Sequence, residues 1–265
     1  KGIKDIKICR KYDLSFLSYL KKTLNKTKQI INIKNFKSTK YHKEVNNASK
    51  VKFFDLNKFN NKDGKIISAL NLAFLTYNEK YKLRTHKYEF WPDGIFCKIL
   101  TKKRKLAGRY FVKKIISKLN NNEIIKNIYI LGNLNKRTKN WINKKLKKKY
   151  IHRNIPYGNI NKILRTTKNF QINRKSLIII TLPTPKQEML ANQFLRIFPD
   201  CFVVCIGGSL NIVSGDEKKA PKLFNDLNLE WLWRLRFDTT RRIKRLSESI
   251  LILIKIILLR KNNLF

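Results

Sequence analysis

The chain reads as an α/β protein: a Rossmann-like layered fold, with a largely parallel central sheet flanked by helices and a basic C-terminal helical appendage. Three observations predict this. Apolar runs of strand length recur at residues 66–70, 127–133, 176–182 and 201–206. They are continuous rather than alternating, as in strands buried on both faces of a parallel sheet. Stretches with helical spacing follow three of these runs, and alternating strands and helices build a layered fold with right-handed crossovers. From residue 227 the chain changes character, mixing tryptophans and leucines with closely spaced arginines.

Taken in order, residues 1–60 are basic and weakly patterned, with one short helix expected over 14–24, and they form a divergent N-terminal portion. The α/β core is placed at 61–226. Ile66-Ile67-Ser68-Ala69-Leu70 is a short buried strand ending at Asn71. Residues 72–82 follow as a helix, with Leu72, Leu75 and Tyr77 among its apolar positions. Tyr88-Glu89-Phe90-Trp91 runs into Pro92-Asp93-Gly94, which is turn chemistry. The apolar stretch 95–100 fits either a helix or a strand.

Residues 127–133 are a strand ending in a glycine turn at Gly132. Its crossover helix is expected over 138–148, with Thr138 as N-cap. Residues 176–182 form the next strand, and 188–198 the next helix, with Met189, Leu190, Phe194 and Ile197 on one face. Residues 201–206 form a third strand of this type, ending at Gly207-Gly208. The appendage is placed at 227–265. Its run from Ile250 to Leu259 is interrupted by Lys255 and falls short of the ~18 uninterrupted apolar residues of a spanning helix. Basic residues interleaved with tryptophan and leucine suit a helix lying in a membrane interface.

Composition narrows the partners. The 265 residues carry 60 Lys+Arg against 17 Asp+Glu, a formal net charge of +43. Such a surface favours phosphates, nucleic acid and anionic bilayers. The enrichment in lysine and asparagine runs through the whole chain, so compositional bias accounts for part of it. At 43% hydrophobic residues, the chain can build a core. The four cysteines have neither zinc nor redox spacing, and Cys201 and Cys205 read as buried. A reduced, cytosolic protein without a secretory leader is the expectation. His42, His86 and His152 have no metal-ligand spacing, there is no Asp-x-Asp, and no metal or organic cofactor is expected.

Three constellations carry chemistry. Asp93 sits in a Pro-Asp-Gly turn, where a carboxylate serves either as a plain turn residue or as a base for an attacking hydroxyl. Upstream, Ser68 and Asn71 offer a hydroxyl and an amide at a strand end, and Asn71 fits an N-cap equally well. Pro185-Lys186-Gln187-Glu188 opens a helix. There Lys186 could meet a phosphate, the Gln187 amide both donates and accepts, and Glu188 suits the helix dipole. Gly207-Gly208-Ser209 follows a strand and lets the backbone approach a diphosphate. It is neither a Walker loop nor a G-x-G-x-x-G motif.

The order Pro92-Asp93-Gly94, Gly108-Arg109, Pro185-Lys186-Gln187-Glu188, Gly207-Gly208-Ser209, Ala220-Pro221, Glu230-Trp231-Leu232 resembles the WecG/TagA/CpsF glycosyltransferase family over roughly residues 65–245. The chain departs from the family pattern at Ala69, where a threonine is usual, and at Leu182-Pro183-Thr184-Pro185, which lacks the usual glycine. The resemblance implies inverting, metal-independent transfer of an N-acetylhexosamine-type sugar, similar to N-acetylmannosamine. The donor is a UDP-sugar and the acceptor an undecaprenyl-diphosphate-linked sugar in cell-surface polysaccharide synthesis. It implies that Asp93 is the catalytic base. It places Ser68, Asn71, Arg109, Lys186, Gln187, Glu188, Gly207, Gly208 and Ser209 in the substrate site, joined by Arg234, Arg241 and Arg242 from the basic tail. The protein is then expected to be cytoplasmic and peripheral, docked by its tail on the inner face of an anionic membrane, with self-association left open. The competing readings are a basic nucleic-acid-binding protein, for which no helix-turn-helix, RNP or zinc-finger signature is present, and a catalytically degenerate family member with a binding role.

Overall fold

The computed structural model describes residues 51–56, 64–81, 87–94, 97, 101–156, 158–218, 220–222, 224, 230, 233 and 246–251. All belong to one compact unit, Ser49–Phe265. In chain order the elements are β1 (Lys65–Leu70), α1 (Leu72–Tyr81), β2 (Tyr88–Pro92), α2 (Gly108–Asn120), β3 (Ile128–Leu131), α3 (Lys136–Lys145), β4 (Ile151–Arg153), α4 (Ile160–Thr167), β5 (Leu177–Ile180), α5 (Lys186–Ile197), β6 (Phe202–Cys205) and α6 (Ser209–Ser214).

The six strands form one sheet in the order β2-β1-β6-β5-β3-β4. Every pairing is parallel. The expected fold class is therefore what the chain adopts. β3, β5 and β6 are buried at every position, which explains their unbroken apolar sequences.

Alternate strand residues feed two cores. On one face Ile67, Ile130, Ile179 and Val204 pack with Phe111 and Ile115 of α2, Ile142 of α3 and Leu210 of α6. On the other, Ile66, Tyr88, Ile178 and Val203 pack with Phe74 of α1, Ile163 of α4 and Leu190 and Phe194 of α5. Connections running from β2 toward β4 thus lie on one face, and those running the opposite way lie on the other. A single crossover hand throughout produces this arrangement. The chain leaves β1 into α1 on one face and leaves the adjacent β6 into α6 on the other. Loops that diverge from neighbouring strands open a crevice at their carboxyl ends, where sheets of this kind bind ligands.

Several elements differ in detail from expectation. Tyr88–Pro92 is a full parallel strand rather than only a lead-in to a turn, because its apolar residues face both cores. β4 has no apolar signature because it is a solvent-exposed edge strand of three residues. α3 begins two residues early. Asn135 is its cap, accepting from the Thr138 N–H at 2.8 Å, while Thr138 itself is buried within the first turn. The earlier start of α5 also turns its buried face to Gln187, Glu188, Leu190, Ala191, Phe194 and Leu195, leaving Ile197 exposed. In α1 the buried positions include Phe74 and Thr76, with Leu75 and Tyr77 only partly covered. Of the stretch 95–100 only Cys97 is described, and it is helical. The helix expected over 14–24 lies outside the described residues.

Phe111 anchors the start of α2 against the sheet. Its ring stacks on Trp91 at 3.9 Å between centroids and 10° between planes, and it is fully buried. Replacing it with alanine is expected to destabilise the protein by ~3–5 kcal/mol, through lost burial plus the cavity left behind. Urea unfolding measures this; a loss below ~1 kcal/mol would contradict the packing described.

Candidate active site at the carboxyl edge of the sheet

The parallel register lines up the residues that follow β2, β1 and β6. Leu70 pairs with Pro92 and Ile67 with Val204. Continued by one step, the first pairing sets Asn71 beside Asp93; continued by three steps, the second sets Leu70 beside Gly207. β2 and β6 are the two neighbours of β1, so the residues that follow them, Asp93 and Gly207-Gly208, leave the sheet at the same edge on either side of β1.

Asp93 is held from two sides. Its N–H donates to the Leu70 carbonyl at 3.2 Å, extending the β1–β2 ladder past the strand ends. One carboxylate oxygen accepts from Asn71 Nδ2 at 3.3 Å. The other half of the Asn71 amide, Oδ1, accepts from the Phe74 N–H at 2.9 Å and caps α1. Asn71 is thus both a helix cap and the Asp93 partner, with one atom for each role. Gly94 follows with φ +76°, a conformation that favours glycine, and an added Cβ there would meet nothing among the described residues within 4 Å. Asp93 itself is half-buried.

On the other side of β1 lies a buried polar cluster. The Glu188 carboxyl, 1% exposed, accepts at Oε1 from Ser68 Oγ (3.0 Å), Thr184 Oγ1 (3.1 Å) and Gln187 Nε2 (2.8 Å). Gln187 Nε2 also donates to Thr184 Oγ1 at 3.0 Å, and Gln187 Oε1 accepts from the Gly207 N–H at 2.9 Å. Tyr88 of β2 donates its hydroxyl to the Glu188 carbonyl at 3.2 Å. Burial pushes the Glu188 carboxyl above the ordinary glutamate range, opposed in part by these hydrogen bonds. Burial likewise raises the neighbouring Cys205 thiol and Tyr88 phenol.

Ser68, Gln187 and Glu188 therefore come together, with their described hydrogen bonds directed to one another and to the backbone. Lys186 donates its ammonium to the Gly158 carbonyl at 2.5 Å, tying the start of α5 to the loop before α4. Gly207 has φ +53°. Ser209 lies against the start of α2, where a Cβ on Gly108 would come within 2.1 Å of its hydroxyl oxygen. Arg109, next in α2, pairs with Glu230 at 2.9 Å with both side chains 15% exposed. Burial alone would lower the Arg109 pKa, but the Glu230 carboxylate outweighs it and the net shift is upward. Arg234, Arg241 and Arg242 lie outside the described residues.

Thr184 and Glu230 are the contributors that sequence reasoning passed over as site residues. Thr184 had a visible signal: Thr184-x-x-Gln187 has the spacing of a capping box. Here the hydroxyl donates to Glu188 and accepts from Gln187. The Arg109–Glu230 pair joins residues 121 apart and has no local signature. Near the chain's end residues 246–251 are helical, and Thr76 of α1 donates to Ser249 Oγ at 2.9 Å, with Ser247 and Ser249 buried. Among the described residues no helix is long and apolar enough to cross a membrane.

A carboxylate after β2 and a glycine loop after β6 stand at the carboxyl edge of the sheet, the place where α/β folds of the nucleotide-binding type hold ligands. Residues 57–264 match the model of the glycosyl transferase WecG/TagA/CpsF family, and the chain belongs to that family. It is a glycosyltransferase. It is 25% identical over 215 residues to the N-acetylglucosaminyldiphosphoundecaprenol N-acetyl-beta-D-mannosaminyltransferase of Bacillus subtilis (strain 168), a match covering 76% of this chain and 83% of that protein. A protein of the same name from Bacillus spizizenii (strain ATCC 23059 / NRRL B-14472 / W23) is 34% identical over 71 residues, covering 27% of this chain and 28% of that protein.

The Glu188 environment makes a pH prediction. The folded protein holds this proton to a higher pH than the unfolded chain does. Between the two pKa values the folded state binds more protons, so stability falls as pH rises through that window and levels off above it. Urea unfolding followed upward in pH from the ordinary glutamate range is expected to show this decline, at most ~1.4 kcal/mol per pH unit, and Glu188→Gln is expected to remove it. Equal slopes in both proteins would refute the upward shift.

Proposed function

We propose that this glycosyltransferase moves an N-acetylhexosamine-type sugar, similar to N-acetylmannosamine, from a UDP-sugar to a sugar carried on undecaprenyl diphosphate. The observation that carries the reading is Asp93. Its carboxylate stands at the open end of β2, oriented by Asn71, across the end of β1 from the Gly207 loop. The names of the Bacillus relatives support the acceptor and the sugar class.

In this reading the reaction is a single displacement that inverts the anomeric centre. The acceptor hydroxyl attacks the anomeric carbon, its proton passes to Asp93, and the bond from that carbon to the diphosphate oxygen breaks as UDP leaves. Asn71 keeps the carboxylate aimed. Gly207, Gly208 and Ser209 bound the donor's diphosphate. Glu217 places a carboxylate oxygen 3.9 Å from where a Gly208 Cβ would sit, so backbone N–H groups alone are a weak anion cradle, and cations have to balance the leaving group. Arg109, Lys186 and the tail residues Arg234, Arg241 and Arg242 are the proposed sources. Ser68, Gln187 and Glu188 contribute to the donor site from beneath. With no Asp-x-Asp in the chain, transfer is proposed to need no divalent ion. The core at 61–226 carries the chemistry, and 227–265 is proposed as the appendage that meets the anionic inner membrane surface.

Asp93→Asn is expected to lower UDP release in the presence of acceptor by ~10²–10⁴-fold while donor binding persists. Full turnover in that variant would sink the mechanism. Wild-type release is expected to survive excess EDTA, and its abolition would show that a metal is required. For membrane docking the informative truncation begins after residue 251, because an earlier cut also removes the Thr76–Ser249 contact. Loss of residues 252–265 is expected to weaken binding to vesicles containing anionic lipid; unchanged binding would reject that role.

A further inference from the structure

The cluster beneath the crevice contains a titratable group that the reaction does not use. Glu188 is buried, and no cation partners it among the described residues. Three donors nevertheless converge on a single oxygen, Oε1, while Oε2 is buried without a partner among the described residues. Those donors favour the charged form and burial opposes them; burial is the larger effect, so the carboxyl titrates above the ordinary glutamate range. Oε1 is the acceptor that gathers Ser68, Thr184 and Gln187.

The consequence is transmitted through Gln187. An amide has a donor end and an acceptor end that occupy the same space, and only its partners decide which end points where. Glu188 Oε1 and Thr184 Oγ1 both lie at the nitrogen end. That leaves Gln187 Oε1 facing the Gly207 N–H. Gly207 is the first residue of the loop bordering the donor side of the crevice, and its left-handed φ sets the direction the loop takes. The same carboxyl grips Ser68 on β1, the strand whose extension holds Asp93.

We infer that Glu188 is a positioning residue for the transfer reaction: a buried carboxyl whose Oε1 orients the Gln187 amide and thereby fixes the Gly207-Gly208-Ser209 loop against β1. This rests on the transferase reading for its kinetic consequence but not for its structural one. Glu188 touches no substrate in this account; it acts through Gln187.

The test compares Glu188→Gln and Glu188→Leu in the full-length protein, with two readouts. One is steady-state transfer with the UDP-sugar varied; the other is amide hydrogen exchange at Gly207. Glu188→Gln keeps a carbonyl oxygen for the three donors, whereas Glu188→Leu removes the acceptor and keeps the bulk. The expected result is a kcat/KM loss of ~10²-fold in Glu188→Leu, carried mainly by donor KM. Exchange at Gly207 is expected to quicken in the same variant, and Glu188→Gln to retain most of both properties. If Glu188→Leu does not fold, Thr184→Val is used: it removes one donor to Glu188 and one acceptor for Gln187, and a smaller shift in the same direction is expected. The inference is overturned if Glu188→Gln is as impaired as Glu188→Leu, or if the folded Leu or Val variant leaves both donor KM and Gly207 exchange unchanged. If the wild type transfers no sugar from any UDP-sugar, the functional reading fails. The exchange measurement then decides on its own whether Glu188 holds the loop.

Discussion

The hydrogen bonds gathered at Glu188 Oε1 join three parts of the chain that no local rule brings together: the middle of β1, the turn entering α5 and the loop leaving β6. Desolvating a carboxylate is expensive, and a lone buried charge costs far more than a hydrogen bond returns. The structure supplies three donors but no counter-charge among the described residues, and burial outweighs the donors, so the carboxyl titrates above the ordinary range. Every donor in the set then has a use. Ser68 ties the cluster to the central strand, Thr184 ties it to the turn, and Gln187 carries it onward to the glycine loop. Only Glu188 Oε2 in this cluster is buried without a partner among the described residues.

The upper rim follows a different rule. Asp93 is placed by sheet register, since the backbone ladder between β1 and β2 runs one residue past the strands and ends on its N–H. Asn71 then divides its amide between capping α1 and bonding the carboxylate. Rotating that amide would break both contacts at once. The direction of Asp93 is therefore coupled to the integrity of the first crossover helix. A residue that could be read as a plain N-cap or as a functional amide serves both purposes, because the two ends of the amide are chemically distinct.

The legibility of the fold in the sequence tracks burial. β3, β5 and β6 were plain as unbroken apolar runs because both their faces are covered. β4 was invisible because it is an exposed edge strand, where no pattern is demanded. α5 is legible with only part of its buried face: Leu190 and Phe194 are buried as expected, Ile197 is exposed, and the polar helix-start residues Gln187 and Glu188 are among its most buried positions. Sequence patterning treats polarity as exposure, and this cluster inverts that equation. The candidate site residues stand out in the sequence as motifs at strand ends. What could not be read was which of them bond one another, because contacts such as Ser68–Glu188 span 120 residues.

The high positive charge takes on a narrower meaning beside this geometry. The buried cluster contains no cation among the described residues, and the glycine loop has a carboxylate nearby. Basic residues are thus spent at the periphery of the crevice: Lys186 bracing the loop before α4, Arg109 holding Glu230 at the entrance to α2. A cation already engaged by a carboxylate gives less to a diphosphate than an uncommitted one does, because part of its field is neutralised. Arg109 also braces the core against the segment bearing Glu230. In the proposed reaction it can therefore supply only part of the charge the diphosphate needs, and Lys186 with the tail arginines Arg234, Arg241 and Arg242 would supply the rest.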